Sequence, residues 1–461
     1  MAHVDEIAML QCTCATRLRN TLARRVAQHA CYAATQTVTT RRDILKLALG
    51  TSAWLAGGSL GCKEPRRAPP AVAAPGHPRY WIQILLSGGH DTIYTTDPKI
   101  ARDVDSMVTL PTDNRIVDAG ELRLGPHFAP LARWAPELTV LNGVQVRTVN
   151  HDTGQKQFFH LKTNIVDMMP SALDLIATRR DGQPLGVAYL NLSSRVMHSP
   201  AYFGTADQFY FGKGDVFEQV ARARPAELVS LAKVMRQQAD HIGRSGPGWR
   251  EAEQTAVYLR EVAAFFERAA TVPPLVSTAR STDYVAQSMA ESLDRALWLI
   301  ENDLCCGVVV DLGLLGWDTH IRNETKQAEM SGTFARLFDE YLADLHVRKN
   351  RHGVLAQQTI TMVGSELGRF PHQNDMLGKD HLPQTSFVFT GPGIRPGKSF
   401  GRTGRRMEGQ AIEYRSGAPA ASGRVPFLDD VGATMLHLAG LDPERYGYSG
   451  QICEFLLDGA A

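Results

Sequence analysis

Apolar residues beyond position 79 fall into short, nearly continuous runs. Five such runs occur, at residues 80–86, 138–143, 307–311, 359–364 and 386–391. A run that is apolar at almost every position is typical of a strand covered on both faces, as in a parallel sheet. Helical patterns lie between several of the runs, notably over residues 333–348 and 429–439. This alternation predicts an α/β fold with a mostly parallel central sheet flanked by helices.

The middle of the chain has a different pattern. Apolar positions recur with the helical period of about 3.6 residues over residues 216–242, 249–270 and 283–301. We therefore expect a helical insertion at about 215–303 that forms a cap over one edge of the sheet. The insertion belongs to an α/β domain that we assign to residues 79–461.

The N-terminal segment indicates an exported protein. Thr40-Arg41-Arg42-Asp43-Ile44-Leu45-Lys46 places two arginines directly before an apolar run that is rich in Ala and Gly and ends at Leu60. This run is too short and too weakly apolar to be a permanent membrane span. A buried helix is disfavoured because the run lacks an amphipathic pattern. We interpret residues 1–62 as a twin-arginine signal peptide, which the Tat translocase binds during export, and expect the chain in the periplasm or at the cell surface.

The end of this segment is compatible with two ways of processing the signal peptide. Ser59-Leu60-Gly61-Cys62 is similar to a lipoprotein box with its large and small residues out of order. Either Cys62 is lipidated or a peptidase cuts nearby, and a lipid on Cys62 is the membrane attachment that we consider. Residues 63–78 are dense in Pro, Ala and Arg, which is typical of a linker.

Charge and cysteine content exclude two classes of protein. The chain carries 49 Lys and Arg against 48 Asp and Glu, and residues 1–62 contain seven of the former and three of the latter. The remainder is weakly acidic, which argues against a nucleic-acid partner. Beyond the leader the cysteines are Cys305, Cys306 and Cys453, too few for a disulfide scaffold. A Cys453 disulfide with one of the other two is compatible with the periplasm.

Carboxylates and histidines occur next to four of the predicted strands. In an open α/β sheet, ligands bind beyond the carboxyl ends of the strands, so such residues meet at one edge. The residues are His90-Asp91 after the first strand, Asp318-Thr319-His320 after the strand at 307, Glu366 after the strand at 359, and Lys379-Asp380-His381 before the strand at 386. Grouped carboxylates and imidazoles need a cation or a hydrogen-bond network, and mixed O and N ligands favour Zn²⁺ or Mn²⁺. Each fragment by itself is equally compatible with an ordinary turn or cap.

Four longer segments carry a family resemblance. They are VVVDLGLLGWDTH at 308–320, MVGSELGRFPHQND at 362–375, GKDHLPQ at 378–384 and VPFLDDVGATMLHLAGLDP at 425–443. They resemble, in order, the GWDTH, EFGRTP and DHWPQ or DHG blocks and the C-terminal helix of the DUF1501 group of Tat-exported bacterial proteins. That group is similar to the alkaline phosphatase and sulfatase superfamily, which implies an alkaline phosphatase-like fold.

The resemblance implies metal-binding roles for five residues. Asp91 corresponds to the first-strand aspartate that binds one ion, and Asp318 and His320 to the Asp and His that bind another. Glu366 stands where the superfamily has an Asp-His pair, and His381 where it has its last histidine ligand. The implied cofactor is a divalent ion, Zn²⁺ or Mn²⁺, with one or two ions bound.

Several departures from the family pattern favour one ion over two. Leu367 replaces the histidine expected beside Glu366, so a second site needs His372, Asp97 or water to complete it. Phe370 stands where the family usually has Thr.

The resemblance also implies a nucleophile at a helix N-terminus, where backbone donors and the helix dipole hold an anion. The segment Val149 to Lys156 lies at the matching distance from Asp91, and Thr153 is the candidate, with Lys156 or Arg147 as the anion-binding side chain. An N-cap at Asp152 or Thr153 that opens a helix over residues 154–162 explains the same segment equally well.

We therefore expect an exported metal-dependent hydrolase that acts on a small phosphate or sulfate ester. The alternative is a non-catalytic periplasmic binding or assembly protein, in which Trp317 and the cap contact a glycan or partner. A dinucleotide-binding oxidoreductase is disfavoured because Gly88-Gly89-His90-Asp91 lacks the G-x-G-x-x-G spacing.

Overall fold

The computed structural model describes residues 78–165, 170–177, 187–190, 223–242, 256, 259–260, 263–276, 283–313 and 315–459. The signal peptide, the box at Cys62 and the linker up to residue 77 lie outside these residues. Two compact units are distinguished, one made of Met1–Arg67 and Phe211–Val272 and the other of Ala68–Tyr210 and Pro273–Ala461.

A seven-stranded sheet forms the centre of the second unit. In chain order its strands are β1 (Tyr80–Leu85), β4 (Thr139–Gln145), β5 (Val187–Leu190), β6 (Gly307–Asp311), β9 (Thr359–Gly364), β12 (Gln384–Thr390) and β13 (Lys398–Phe400). Their order across the sheet is β13-β4-β12-β9-β1-β6-β5. All neighbouring pairs are parallel except the two that involve β12.

The predicted fold class is confirmed by this sheet. The five apolar runs form β1, β4, β6, β9 and β12, and β1, β6, β9 and β12 are buried along their whole length. The antiparallel direction of β12 matters for the site. Because Phe387 pairs with Gly364, β12 begins beside the end of β9. The segment that precedes β12 therefore lies at the same edge as the segments that follow β1, β4, β6 and β9.

Helices cover the sheet. In the second unit they are α1 (His151–His160), α2 (Ala172–Ala177), α4 (Tyr284–Glu301), α5 (Asn323–Val347) and α6 (Leu428–Leu438). The helical patterns predicted near 283, 333 and 429 correspond to α4, α5 and α6. Short 3₁₀ helices occur at Thr92–Tyr94, Ala101–Asp103, Pro126–Trp134, Leu355–Gln357, Pro443–Tyr446 and Glu454–Leu456.

Three two-stranded hairpins complete the strands of the described chain. They are β2 (Val117–Ala119) with β3 (Leu122–Leu124), β7 (Lys349–Asn350) with β8 (Gly353–Val354), and β10 (Gly368–Gln373) with β11 (Lys379–Leu382). The β10–β11 hairpin is the one that matters for the site. It connects β9 to β12 and pairs Arg369 with His381.

In the first unit, α3 (Pro225–Ile242) buries a stripe of side chains spaced three or four residues apart, which is the helical period. They are Leu228, Leu231, Ala232, Met235 and Ala239. Because α4 belongs to the second unit, only part of the predicted insertion at 215–303 falls in the first. A cap over the sheet stays a prediction.

Two further observations concern the described residues. Among them, no helix combines the length and the apolar character that a membrane crossing requires. Cys305, Cys306 and Cys453 are buried, and among these described cysteines the disulfide considered for Cys453 is not formed.

Candidate metal centre

Five segments bring polar side chains to the carboxyl edge of the sheet. They are the turn after β1, the start of α1 after β4, the loop after β6, the residues after β9, and the β10–β11 hairpin. Asp318, Glu366 and His381 come from three of the segments named by the sequence. His151, the first residue of α1, joins them from the segment after β4, in which the sequence pointed to Thr153 and not to His151.

Three histidines have their Nδ1 atoms held by oxygen acceptors. The pairs are His151 with Glu366 Oε1 at 2.8 Å, His320 with Asp380 Oδ1 at 3.0 Å, and His381 with the Val149 carbonyl at 2.6 Å. Carboxylate and carbonyl oxygens only accept hydrogen bonds, so each Nδ1 carries the proton. Each Nε2 atom faces away from these acceptors, as in histidines that bind metals. His320 Nε2 and His381 Nε2 lie 2.9 Å from each other.

The Nε2 atoms converge on the Asp318 carboxylate. His320 Nε2 and His381 Nε2 each lie 3.3 Å from Asp318 Oδ1, and His151 Nε2 lies 3.4 Å from Oδ2. A tetrahedral ion with bonds of about 2.0–2.1 Å separates its ligands by about 3.3 Å. His151 Nε2 is buried and, among the described residues, has no hydrogen-bond partner. The donor set and this orphaned nitrogen fit a divalent ion such as Zn²⁺.

The ligand atoms of His151, Asp318 and His381 all lie within 4.8 Å of one another, and we call these three residues the metal cluster. Their side chains are 15 %, 29 % and 17 % exposed, whereas His320 is 43 % exposed. The cluster is therefore covered on one side and reached by solvent on the side of His320.

Arg369 fixes the position of Asp318. Its fully buried guanidinium donates to Asp318 Oδ1 at 2.8 Å and also to the Gly88, Gly89 and Lys379 carbonyl groups. Burial raises the pKa of Asp318, but the neighbouring side chains of His151, His381 and Arg369 outweigh burial and hold the pKa well below its usual range. Asp318 is therefore ionised at any physiological pH.

His151 carries a proton in this arrangement. Burial lowers its pKa, but the carboxylates of Asp318 and Glu366 outweigh that effect and raise the pKa to about 9. A cation that binds the imidazole therefore displaces a proton.

Glu366 lies behind the cluster and positions His151. Its side chain is fully buried, and Oε1 accepts hydrogen bonds from His151 Nδ1 and from the Gly88 backbone N–H, both at 2.8 Å. Ser365 Oγ donates to Oε2 at 3.0 Å. The family resemblance implies that Glu366 is a metal ligand. In the structure its two carboxylate oxygens accept hydrogen bonds from His151, Gly88 and Ser365.

Asp91 is engaged in a buried ion pair. Oδ2 accepts from Lys379 Nζ at 2.7 Å and from Asn323 Nδ2 at 2.9 Å, and both charged side chains are 1 % exposed. Oδ1 accepts from the Ile93 backbone N–H and so caps the 3₁₀ helix Thr92–Tyr94. The structure does not bring Asp91 into the metal cluster, because the ammonium group of Lys379 occupies the position next to its carboxylate.

Thr153 is on the surface of α1. Its backbone N–H donates to Asn150 Oδ1 at 2.9 Å, so Asn150 is the N-cap and Thr153 lies in the first turn. Thr153 is exposed, and its hydroxyl makes no hydrogen bond among the described residues. Of the two candidate anion-binding side chains, Arg147 packs over the Phe427 ring at 4.4 Å. The segment does cap a helix, but the cap is Asn150 and not Asp152 or Thr153, and the helix begins at His151 and not at residue 154.

The residues considered for a second ion have other partners. Asp97 pairs with Lys99 at 2.8 Å, and exposed His372 pairs with the Met107 carbonyl at 3.0 Å. Leu367 is fully buried. Trp317, considered as part of a recognition surface, is also fully buried and donates to Ser331 Oγ, so that role is wrong.

Gly88 permits the close approach of the β1 turn to Asp318. Its φ is +114°, and a Cβ there would lie 2.3 Å from the Asp318 backbone nitrogen. We predict that Gly88→Ala destabilises the protein by about 1–3 kcal/mol through backbone strain and weakens metal binding by moving Asp318. Gly120→Ala is the matched control, because Gly120 also has a positive φ but nothing lies within 4 Å of its Cβ position. Equal losses in urea unfolding for the two variants would contradict the clash.

Comparisons with known proteins support the resemblance seen in the sequence. The model of the DUF1501 family, described as a protein of unknown function, matches residues 296–460. No curated protein matches the chain. Among solved structures, the chains found to be similar include a lipoteichoic acid synthase, a protein in the alkaline phosphatase superfamily and a 2-O GAG sulfatase.

Three of these structures illustrate the similarity. The lipoteichoic acid synthase LtaP from Listeria monocytogenes is 7% identical, with 83% of this chain and 76% of that chain covered and a TM-score of 0.36. A protein in the alkaline phosphatase superfamily from Vibrio parahaemolyticus is 9% identical, with 84% and 71% covered and a TM-score of 0.33. A 2-O GAG sulfatase is 9% identical, with 81% and 75% covered and a TM-score of 0.32.

Proposed function

With residues 296–460 matching the DUF1501 family of unknown function, the activity has to be inferred from the site, and we propose an exported hydrolase of phosphate or sulfate esters that uses one divalent ion. The observation that carries this proposal is the convergence of three histidine Nε2 atoms on Asp318. The Nδ1 atom of each of these histidines is hydrogen-bonded to an oxygen acceptor. His151, Asp318 and His381 would hold the ion, and His320 lies at its open side.

The residues around this centre have different roles. An ion held there would supply Lewis-acid polarisation and neutralise charge on the ester. Glu366 and the Val149 carbonyl orient the two buried imidazoles, and Arg369 fixes the Asp318 carboxylate. Because His320 is 43 % exposed, an ester reaches the cluster from that side, with its imidazole oriented by Asp380.

A panel of esters tests the activity. We expect Zn²⁺-loaded protein to hydrolyse at least one of 4-nitrophenyl phosphate, bis(4-nitrophenyl) phosphate and 4-nitrophenyl sulfate. We expect His381→Ala to lose at least about 100-fold in kcat/KM, a loss comparable to that of an electrostatic catalytic group. The control is His346→Ala, because His346 is also a histidine paired with a carboxylate, Glu137 at 2.8 Å, but on the surface. Identical rates for the two variants would refute the assignment of the site.

A non-catalytic binding protein is the second candidate. It is favoured by the buried Asp91–Lys379 pair and by the exposed position of Thr153, because both reduce the site to one ion with no hydroxyl in contact. A protein that binds Zn²⁺ at the cluster but hydrolyses no ester of the panel would support this candidate over the first.

Export by the twin-arginine pathway is the second part of the proposal, supported by Arg41-Arg42 and the apolar run after them. The translocase recognises the arginine pair, so Arg41→Lys with Arg42→Lys is expected to retain folded precursor in the cytoplasm. Cell fractionation with an antibody against the body of the chain measures this. Undiminished periplasmic delivery would exclude the pathway, and mass spectrometry of the mature N-terminus would decide whether Cys62 is lipidated.

A further inference from the structure

Large apolar side chains are exposed beside the metal cluster. We call them the apolar rim: Met107 at 64 %, Ile321 at 41 %, Phe370 at 45 %, Met376 at 58 % and Leu377 at 58 % exposure. An isolated exposed apolar residue needs no explanation, but a group on one surface marks an interaction site.

Backbone contacts make the segments that carry the rim neighbours. Ile321 forms a β-bridge with Leu377, and the Arg322 N–H donates to the Met376 carbonyl at 3.2 Å. On the other side of β10, the Thr109 N–H donates to the Pro371 carbonyl at 2.8 Å, which places the Met107 segment next to Phe370.

The rim is continuous with the open side of the cluster. Ile321 directly follows His320, and Asn374 Nδ2, in the turn that carries Met376 and Leu377, donates to the His320 carbonyl at 3.1 Å. Phe370 follows Arg369 in β10, and Arg369 pairs with His381 of the cluster in the hairpin register. A molecule bound at His320 therefore lies close to the segments that carry the rim.

Leu377 closes the turn of the β10–β11 hairpin. Its φ is +58°, in the left-handed region that Asn or Gly occupies more readily than leucine. Its backbone N–H donates to the Asn374 carbonyl at 3.0 Å, and its carbonyl accepts from the Asn323 N–H at 2.8 Å. The turn therefore explains the backbone conformation, while the apolar side chain stays exposed.

We propose that the substrate is amphiphilic: an alkyl or aryl ester of phosphate or sulfate, with its anionic group at the metal cluster and its hydrocarbon on the apolar rim. This inference rests on the proposed function and adds the substrate class to it. A charged cluster next to an apolar surface complements both ends of such a molecule, whereas a fully hydroxylated ester leaves the rim in contact with water.

Binding of ethyl, butyl and hexyl phosphate to Zn²⁺-loaded protein, measured by calorimetry, tests the inference. Each methylene removed from water strengthens binding by up to about fourfold, so we expect hexyl phosphate to bind at least about tenfold more tightly than ethyl phosphate. Phe370→Ser with Leu377→Asn is expected to remove this dependence, because the apolar area is lost and Asn tolerates the left-handed backbone. The control is Val347→Ser, an apolar residue 69 % exposed at the end of α5.

The other possible outcomes of these experiments lead to different conclusions. Equal affinity for the three phosphates in the wild type overturns the inference and leaves the proposed function standing. An unchanged dependence on chain length in the rim variant also overturns it. If no phosphate binds, the proposed function fails and the inference fails with it. If sedimentation shows a dimer that dissociates in the rim variant but not in Val347→Ser, the rim is an interface between two copies and the substrate assignment is wrong.

Discussion

Zn²⁺ binding is expected to weaken by at least about 100-fold in His151→Ala, because a ligand loss exceeds the 10- to 100-fold effect of losing a supporting residue. His151 Nε2 is buried, has no hydrogen-bond partner among the described residues and faces Asp318, so its position is explained by a cation. Competition with a chelating dye measures the affinity.

Two further variants are expected to reduce the Zn²⁺ affinity less than His151→Ala does. Glu366→Gln keeps the shape of the side chain but removes the charge behind His151, and we expect a loss of about 10- to 100-fold. His346→Ala, which removes a surface histidine paired with Glu137, is expected to leave the affinity unchanged. If His151→Ala binds Zn²⁺ as tightly as His346→Ala, then His151 is not a ligand.

Lys379→Ala is expected to reduce the free energy of unfolding by about 3–5 kcal/mol, the cost of leaving one charge of a buried pair without its partner. The Lys379 ammonium lies 2.7 Å from Asp91 Oδ2, and both side chains are 1 % exposed. The same ammonium lies over the Tyr94 ring at 4.9 Å. Guanidinium unfolding followed by circular dichroism measures the loss.

The matched control is Lys398→Ala. Lys398 pairs with Glu121 on the surface, where the two side chains are 35 % and 58 % exposed, and such pairs contribute about 0–1 kcal/mol. A similar small loss for Lys379→Ala would show that the Asp91 carboxylate has another partner in the folded protein. A bound second ion at Asp91 is the partner to test in that case.

The main strands were predictable because buried parallel strands have a pattern that depends on local residues alone. The direction of β12 was not, since it depends on its pairing with β4 and β9. That direction brings His381 to the cluster, although it stands before a strand and not after one.

His151 was missed for a related reason. The rule that ligands follow strands was applied to four apolar runs and not to the run at 138–143, whose strand ends at Gln145. Five residues then separate the end of the strand from His151. The same rule identifies His151 when it is applied to the run at 138–143 and extended to residues further beyond the end of the strand.

Asp91 and Glu366 show the limit of the resemblance. Both lie at the predicted edge, but Lys379 and His151 are the partners that determine what their oxygens do. These partners are distant in the chain by 288 and 215 residues. No local spacing identifies a contact of that kind.

Metal content of the purified mature protein tests the central claim most directly. After reconstitution with excess Zn²⁺ and removal of weakly bound ions, mass spectrometry of the dissolved protein is expected to find one Zn²⁺ per chain in the wild type. We expect none in His381→Ala, because that variant removes one of the three ligands of the metal cluster. Two ions per chain would contradict the Asp91–Lys379 assignment, and no retained ion, or equal retention in His381→Ala, would contradict the metal cluster itself.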